Sequence, residues 1–118
     1  MTVSSTFRTF VLEQLRRTTP GIRDRSMFGG VGIYAAEYFF ALIDQDTLYF
    51  KVDDSNRSQF EQRGMSPFQP YGPDGEVMQS YQIPEDVLED PDELGRWATA
   101  ALAVAARSKR AKARRRRS

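Results

Sequence analysis

The chain has 118 residues, with 40% apolar and 28% charged side chains, and these proportions are typical of a single soluble globular domain. It has no cysteine and no histidine, which excludes disulfides, thiolate nucleophiles, Ser–His catalytic pairs and metal sites that need Cys or His ligands. No apolar run approaches the ~20 residues that span a bilayer, and the N-terminus lacks a signal-peptide pattern, so we expect a cytoplasmic protein with no membrane partner, no metal and no cofactor.

The net charge of +1 conceals two segments of opposite sign. Residues 1–106 hold nine basic and all 16 acidic residues, a net charge of −7, whereas residues 107–118 hold eight basic residues. Blocks of like charge are usually disordered tails, often with a partner of opposite charge. We therefore predict a folded domain over residues 1–106, followed by a basic, disordered tail over residues 107–118.

The first part of the chain predicts one amphipathic helix and then short strands. Phe7, Val11 and Leu15 recur at helical spacing, capping side chains stand at residues 4–6, and Pro20 follows the predicted helix. Strands are predicted next at residues 27–28, 31–35, 38–43 and 47–52. Alternating apolar side chains and short connections indicate antiparallel pairing with one buried face.

A short helix and a hairpin follow. Residues 53–56 supply cap chemistry for a short helix that stops before Gly64. Residues 68–71 and 77–83 predict a hairpin with its turn at 73–75. Because prolines lack an N–H, the first of these strands should be short and lie at a sheet edge.

The last predicted element is a long helix. Residues 84–90 form an acidic linker, after which Asp90 caps the helix, Pro91 takes its first position and Glu93 completes a capping box. The helix is rich in alanine and could continue to Ser108 and beyond. Its predicted buried stripe consists of Leu94, Trp97, Ala98, Ala101, Leu102 and Ala105.

Three glycines, Gly29, Gly30 and Gly32, stand between Met27-Phe28 and a strand. Their spacing fits neither phosphate-binding pattern, G-x-x-x-x-G-K-S/T or G-x-G-x-x-G, and no helix start follows them. We therefore interpret the cluster as a strand junction that needs special backbone angles, with Gly30 in a conformation closed to other residues.

Aromatic and basic residues on the strands leave two interpretations open. The aromatics could stack nucleic-acid bases, but the basic, glycine-containing signature of RRM domains is absent and the acidic body repels phosphate, so packing in the core or in pairs is favoured. Arg25 and Lys51 could bind an anion, although solvated surface charge is the more usual role. The aromatic set is Tyr34, Phe39, Tyr49, Phe68, Tyr71 and Tyr81.

Several separated motifs in a fixed order resemble the TfoX/Sxy N-terminal domain family. They are R-S-M-F-G-G-V-G-I-Y, F-A-L-I-D, L-Y-F-K-V, P-F, S-Y-Q-I-P-E and a closing helix with Trp97, and together they span roughly residues 6–106. The matching positions, all carried over as structural, are Arg25, Met27, Phe28, Gly29, Gly30, Gly32, Tyr34, Lys51, Phe68, Tyr81, Pro84 and Trp97.

The resemblance implies an α+β fold with two layers, a mainly antiparallel sheet with helices packed on it, in the order α-β-β-β-α-β-β-α. It also implies a regulator of natural competence genes that acts with a transcription regulator, the cyclic-AMP receptor protein. Full-length members carry a second, C-terminal domain, and this sequence has its basic segment in that place. The family supplies no catalytic residues to carry over.

The basic tail is the one segment whose charge points to a partner. It could bind DNA or RNA phosphates or serve only to solubilise the chain, and the family resemblance favours nucleic-acid binding. Because the tail has no Asn or Gln to read bases, we expect that binding to be weak and non-specific. We expect a non-enzymatic regulatory or adaptor domain, and the alternative is a protein–protein interaction module with no nucleic-acid role. The predicted nucleic-acid-binding residues are Arg107, Lys109, Arg110, Lys112, Arg114, Arg115, Arg116 and Arg117.

Overall fold

A five-stranded antiparallel sheet with helices on one face forms the body of the protein. The computed structural model describes residues 4–27, 29–70, 72 and 79–117. Within these ranges the helices are α1 (Ser5–Arg16), α2 (Arg57–Glu61), α3 (Glu85–Leu88) and α4 (Pro91–Arg117). The strands are β1 (Ile22–Met27), β2 (Gly30–Ala35), β3 (Tyr38–Asp44), β4 (Thr47–Lys51) and β5 (Ser80–Gln82), paired in sequence order. The predicted α+β class is confirmed.

The core lies between the sheet and the helices because side chains alternate across each strand. In β2, Val31, Ile33 and Ala35 are buried in a single cluster that also contains side chains of α1 and α4. α4 crosses β3 and β4, and its small buried side chains, such as Ala98 and Ala101, let the helix backbone approach the sheet closely.

Trp97 joins α4 to α2 within this core. Its ring meets the Phe60 ring edge-on, with centroids 4.8 Å apart, and only 7% of the tryptophan is exposed. Its Nε1–H donates to Glu93 Oε1 at 3.1 Å, so burial of the indole leaves no polar atom unpaired. The structure therefore buries Trp97, as its place on the predicted stripe implies.

β1 is longer than predicted, because the sequence indicates only Met27-Phe28 and the strand covers Ile22–Met27. It is an edge strand whose residues Ile22 to Met27 pair with β2. Its charged side chains replace the alternation of apolar and polar residues by which a strand is predicted from sequence. Asp24, on the side facing the helices, accepts from Arg8 of α1 at 2.5 Å. Phe28 lies outside the described residues.

The predicted final hairpin is only partly present among the described residues. Its first strand is reduced to an isolated bridge between Pro67 and Tyr81, with Phe68 N–H donating to the Ser80 carbonyl oxygen at 2.7 Å. The missing proline N–H explains why no longer ladder forms there, and the segment lies beyond β5 at the sheet edge, as predicted. Tyr71, the 73–75 turn and residues 77–78 lie outside the described residues.

The predicted acidic linker is partly helical, since α3 occupies Glu85–Leu88 with Pro84 as its N-cap residue. Asp90 caps α4 as predicted, accepting from the N–H groups of Asp92 at 3.1 Å and Glu93 at 3.2 Å. The other half of the predicted capping box is absent. Asp90 N–H instead donates to the Val87 carbonyl oxygen at the end of α3, and the Glu93 carboxylate bonds Arg96 and Trp97.

α4 continues through the predicted tail, so residues 107–117 are helical here rather than disordered. Alanine and arginine are strong helix formers, and positive side chains near a helix C-terminus interact favourably with the helix dipole. The boundary of the folded domain at residue 106 stays a prediction. In the described part of the chain, no helix has both the length and the apolar character needed to cross a membrane.

The interpretation of the glycine cluster as a strand junction with special backbone angles agrees with the structure at Gly29, but the predicted backbone conformation of Gly30 is wrong. Gly29, just before β2, has a positive φ of 81°. Gly30 has no positive φ, and what it needs instead is space: a Cβ there would lie 2.5 Å from the Ile43 carbonyl oxygen. The close approach of β2 to β3 at this end therefore requires a residue without a side chain.

Gly30→Ala should destabilise the fold by about 1–3 kcal/mol, because the new methyl group forces the β2 and β3 backbones apart. Gly32→Ala is the matched control on the same strand. There the nearest atom to an added Cβ is the terminal methyl of Met27 at 2.7 Å, which can rotate away. Urea unfolding should rank Gly30→Ala as the more costly change, and equal costs would contradict the backbone clash.

Trp97→Ala should lower the free energy of unfolding by about 3–5 kcal/mol, because it removes the indole ring that packs against Phe60 and leaves a cavity. Trp97→Phe should cost less, since it keeps an apolar ring there. Thermal unfolding followed by circular dichroism measures both. A fluorescence spectrum typical of solvent-exposed indole in the native protein would refute the packing on which this prediction depends.

Candidate nucleic-acid interface

The last three turns of α4, residues 107–117, form a basic segment that we call the basic end of α4. Arg107 is its first residue and is bound to the body of the domain. Its Nη2 lies 2.9 Å from Asp53 Oδ2 and 2.7 Å from Ser55 Oγ, and its Nε donates to the same carboxylate oxygen at 3.2 Å. Arg107 therefore attaches the helix to the β4–α2 loop instead of pointing freely into solvent.

Hydrogen bonds within its own loop help to keep the carboxylate of Asp53 ionised for this contact. Burial, the largest single effect, raises the pKa of Asp53, but hydrogen bonds from Ser55 and from Arg107 together outweigh burial and hold the pKa below its usual value. The carboxylate is therefore ionised at neutral pH and available to the guanidinium of Arg107.

Lys109 makes a second contact between the basic end and the body. Its Nζ lies 3.3 Å from Glu37 Oε2 in the β2–β3 turn and 5.9 Å from the centroid of the Tyr38 ring. The two contacts lie at the same end of the β3–β4 pair, where β3 begins and β4 ends, so they hold the basic end of α4 beside that end of the sheet.

The remaining basic residues of this segment differ in whether they have a contact within the chain. Arg110, Lys112 and Arg116 have no carboxylate within ion-pair distance in the described part of the chain. Arg114 and Arg115 are exposed but make contacts within the chain, and Arg117 is the last helical residue. Of the eight predicted nucleic-acid-binding residues, Arg107 and Lys109 thus act first as attachments to the body.

Lys51, at the end of β4, adds a ninth positive charge beside the helix. Its Nζ lies 5.7 Å from the centroid of the Phe39 ring. Burial lowers the pKa of Lys51, and the positive charge of Lys112 lowers it further. Lys51 is thus partly desolvated beside a second positive charge, and an anion placed between the two ammonium groups would offset their repulsion.

A cleft of about 480 Å³ between the β4–α2 loop and α4 brings these charges together. Lys51, Arg57, Arg107 and Arg114 line it, along with Asp53 and Asp54. Asp53 is paired with Arg107, and Asp54 lies 2.5 Å from Arg57. The net charge of the lining is therefore positive, and its polar groups suit an oxyanion such as a phosphate.

Four of the six predicted aromatic residues pack in pairs on the sheet surface opposite the helices, which we call the open face. Tyr34 and Phe39 have ring centroids 5.3 Å apart, and Tyr49 and Phe68 are 4.9 Å apart. All four are only half-buried. The prediction of paired packing agrees with this arrangement, but the pairs lie outside the core.

The other motif residues have separate places in the fold. Arg25 and Met27 extend from β1 on the open face, opposite Gly32 and Gly30. Tyr81 lies on the helix side, where its hydroxyl donates to Glu61 Oε2 at 3.0 Å. The structure thus joins Lys51 to the basic end of α4 and leaves Arg25 at a distance, on an edge strand.

Sequence reasoning missed Asp53, Ser55 and Glu37 as attachment points for the basic end. Asp53 was interpreted only as cap chemistry for α2, and it lies 54 residues from Arg107 in the sequence. No local pattern marks such a pair. The one available signal was the polarity of both connecting turns, which is common to most turns.

Asp53→Asn should release the basic end of α4 without unfolding the domain. The pair with Arg107 is largely solvent-exposed, so its loss should change stability by only about 0–1 kcal/mol. Amide hydrogen exchange of residues 108–117 should become faster, while exchange in β2–β4 stays unchanged. Asp54→Asn is the control, because Asp54 pairs with Arg57 and not with α4. Equal exchange in both variants would refute the attachment.

The comparison with known protein families agrees with the fold described above. The family model of the TfoX N-terminal domain matches residues 13–105, which include the whole sheet and the sheet-covering part of α4. No curated protein matches the sequence. The match stops just before the basic end, whose charges therefore lie outside the matched region. With most of its residues covered by that match, the chain belongs to the TfoX N-terminal domain family.

Proposed function

We propose that this domain is a non-enzymatic regulatory or adaptor module that binds nucleic-acid phosphates weakly through the basic end of α4, in the service of transcription or competence regulation. The observation that supports it best is the continuation of α4 as a helix with positive charges at Arg110, Lys112 and Arg116, which no carboxylate among the described residues neutralises. A helix holds these charges in a regular array beside the domain, where a phosphate backbone can meet several at once.

The strength of binding follows from the number of basic residues that can meet phosphates. Arg107 and Lys109 are engaged with the body, so this number ranges from three, with Arg110, Lys112 and Arg116 alone, to six when Arg114, Arg115 and Arg117 also contribute. Three to six contacts correspond to a slope of roughly −3 to −5 for log affinity against log salt on duplex DNA. The body, at −7, opposes binding, so we expect dissociation constants of ~10⁻⁴–10⁻⁶ M at physiological salt.

Sequence preference should be small, because arginine and lysine on an exposed helix end contact phosphates and not base edges. We assign the domain no catalytic role, since it has neither histidine nor cysteine to act as a base or nucleophile near neutral pH. If the same charges dock an acidic protein, the domain is a protein-interaction module, and the experiment below separates the two.

Replacing Arg110, Lys112 and Arg116 together by glutamine should weaken duplex binding at least about tenfold and reduce the salt slope by about 2.7, because three phosphate contacts are lost. Fluorescence anisotropy with a labelled duplex over a salt series measures both. The matched control removes three positive charges elsewhere, with Arg17, Arg63 and Arg96 replaced by glutamine, and should leave the slope unchanged.

A chain ending at residue 106 should lose the binding and keep its fold, because the core side chains all lie before that position. Undiminished duplex binding by this truncated chain, or by the triple variant, would refute the role of the basic end. An absence of nucleic-acid binding by the full chain, together with binding to polyglutamate, would favour the protein-interaction alternative.

A further inference from the structure

A row of four side chains crosses the open face from β1 to β4. Arg23 lies over the Tyr34 ring, with its guanidinium carbon 5.3 Å from the ring centroid, and Tyr34 in turn contacts Phe39. Lys51 completes the row on the far side of Phe39. Two aromatic rings thus lie side by side on the sheet with a cation at each end.

A β-bulge in β3 creates this row. The register between β2 and β3 shifts after Ile33, so that Tyr34 faces Phe39 and Ile33 faces Ala41, which leaves Phe40 as the extra residue. Phe40 and Ala41 both turn toward the helices and are buried. Phe39 is thereby placed on the open face instead of in the core.

The second ring pair, Tyr49 and Phe68, lies on the same face. A shallow cavity of about 100 Å³ has Leu42, Phe39 and Phe68 in its lining and Gly30 in its floor. The lining is almost entirely apolar, with the carboxylate of Asp44 at one side. Flat apolar groups can therefore lie against the sheet between the two pairs.

Charge on the open face is opposite to that of the rest of the body. Among its described residues, the cations Arg23, Arg25 and Lys51 outnumber one carboxylate, Asp44, and none of the three cations is in an ion pair. Residues 1–106 as a whole carry −7. The acidic side chains are concentrated on the helices and turns, so a polyanion would approach the domain from the open face.

The open face is also continuous with the basic end of α4. Phe39 and Lys51 line a second cleft together with Ser108, Lys109 and Lys112 of the helix. The one carboxylate in its lining, Glu37, is paired with Lys109, so a chain that runs along the ring row meets the helix charges at the Lys51 end.

We propose that the open face binds single-stranded nucleic acid, with bases stacked on the Tyr34–Phe39 and Tyr49–Phe68 pairs and phosphates against Arg23, Lys51 and Lys112. This proposal rests on the proposed function for the attraction of phosphate, and it goes further by specifying the class of nucleic acid. Stacking on aromatic rings requires bases that are free of a duplex, and it tolerates any base sequence because every base has a π-face. Ring pairs on an antiparallel sheet are a suitable platform for such bases.

The test compares a labelled oligothymidylate with a duplex of the same length, using the full chain and fluorescence anisotropy over a salt series. Tyr34→Leu and Phe39→Leu each keep an apolar side chain but remove the ring. Each should weaken oligothymidylate binding about five- to tenfold with an unchanged salt slope, and should leave duplex binding unchanged. Lys51→Gln should reduce the single-strand slope by about 0.7.

Phe10→Leu is the matched control, because Phe10 is an exposed aromatic residue, 37% accessible, on α1 and away from the open face. It should change neither affinity. Trp97 fluorescence reports whether each variant remains folded. If a variant unfolds, ultraviolet crosslinking of the unaltered protein to an oligonucleotide of 5-iodouracil replaces it, with crosslinks expected at Tyr34, Phe39 or Tyr49.

The outcomes separate this proposal from the preceding one. Unchanged oligothymidylate affinity in both ring variants, or crosslinks confined to residues 107–117, would overturn the open-face site and leave the basic end of α4 as the whole interface. Loss of duplex binding in the triple variant bears only on the basic end. An absence of binding to either nucleic acid by the full chain would overturn both.

Discussion

The packing of α4 across β3 and β4 is the contact on which the rest of the structure depends. α4 has 27 residues and is therefore about 40 Å long, whereas the seven residues of β3 extend over about 23 Å. A helix laid along a sheet with this mismatch must project beyond it. The apolar part of α4 closes the core around Trp97, and the remaining length carries the basic residues past the end of the sheet. Core packing and the position of the candidate interface thus have one cause, the length of a single helix.

Charge along α4 follows the helix dipole from end to end. Asp90, Asp92 and Glu93 stand at the N-terminus, where partial positive charge accumulates, and the arginines and lysines stand at the C-terminus. This arrangement stabilises a helix end that has few apolar contacts. It also separates charge within the protein, because the acidic groups lie at one end of α4 and the basic groups lie at the other end, beside Lys51. The exposed pair of Arg107 and Asp53 adds little to stability, and its effect is to hold the direction of the helix.

The sequence predicts the features that depend on neighbouring residues and misses those that depend on distant ones. The capped start of α1, the short connection between β3 and β4, the cap at Asp90 and the burial of Trp97 all follow from local chemistry or periodicity. The full length of β1 is missed because a charged edge strand has no apolar alternation. The bulge at Phe40 and the contact of Arg107 with Asp53 are missed because a register shift and a contact between remote residues have no local signature. The basic residues of the candidate site were identified from composition, but its second half, the ring row, required the register of the sheet.

The cations that lie on the open-face rings bear on how a ligand could bind there. A sheet surface of bare aromatic rings would favour association between sheets, and Arg23 and Lys51 reduce that risk by covering Tyr34 and Phe39. A base that stacks on these rings has to share them with, or displace, the cations. An exposed cation–π contact is worth about 0.5–1 kcal/mol, and a stacked base is worth about 1–3 kcal/mol. Replacing a cation by a base on the ring is therefore favourable by a small margin. The displaced cation remains close enough to contact the phosphates of the bound strand. Such a surface binds weakly and without regard to sequence, which are also the properties expected of the helix end next to it.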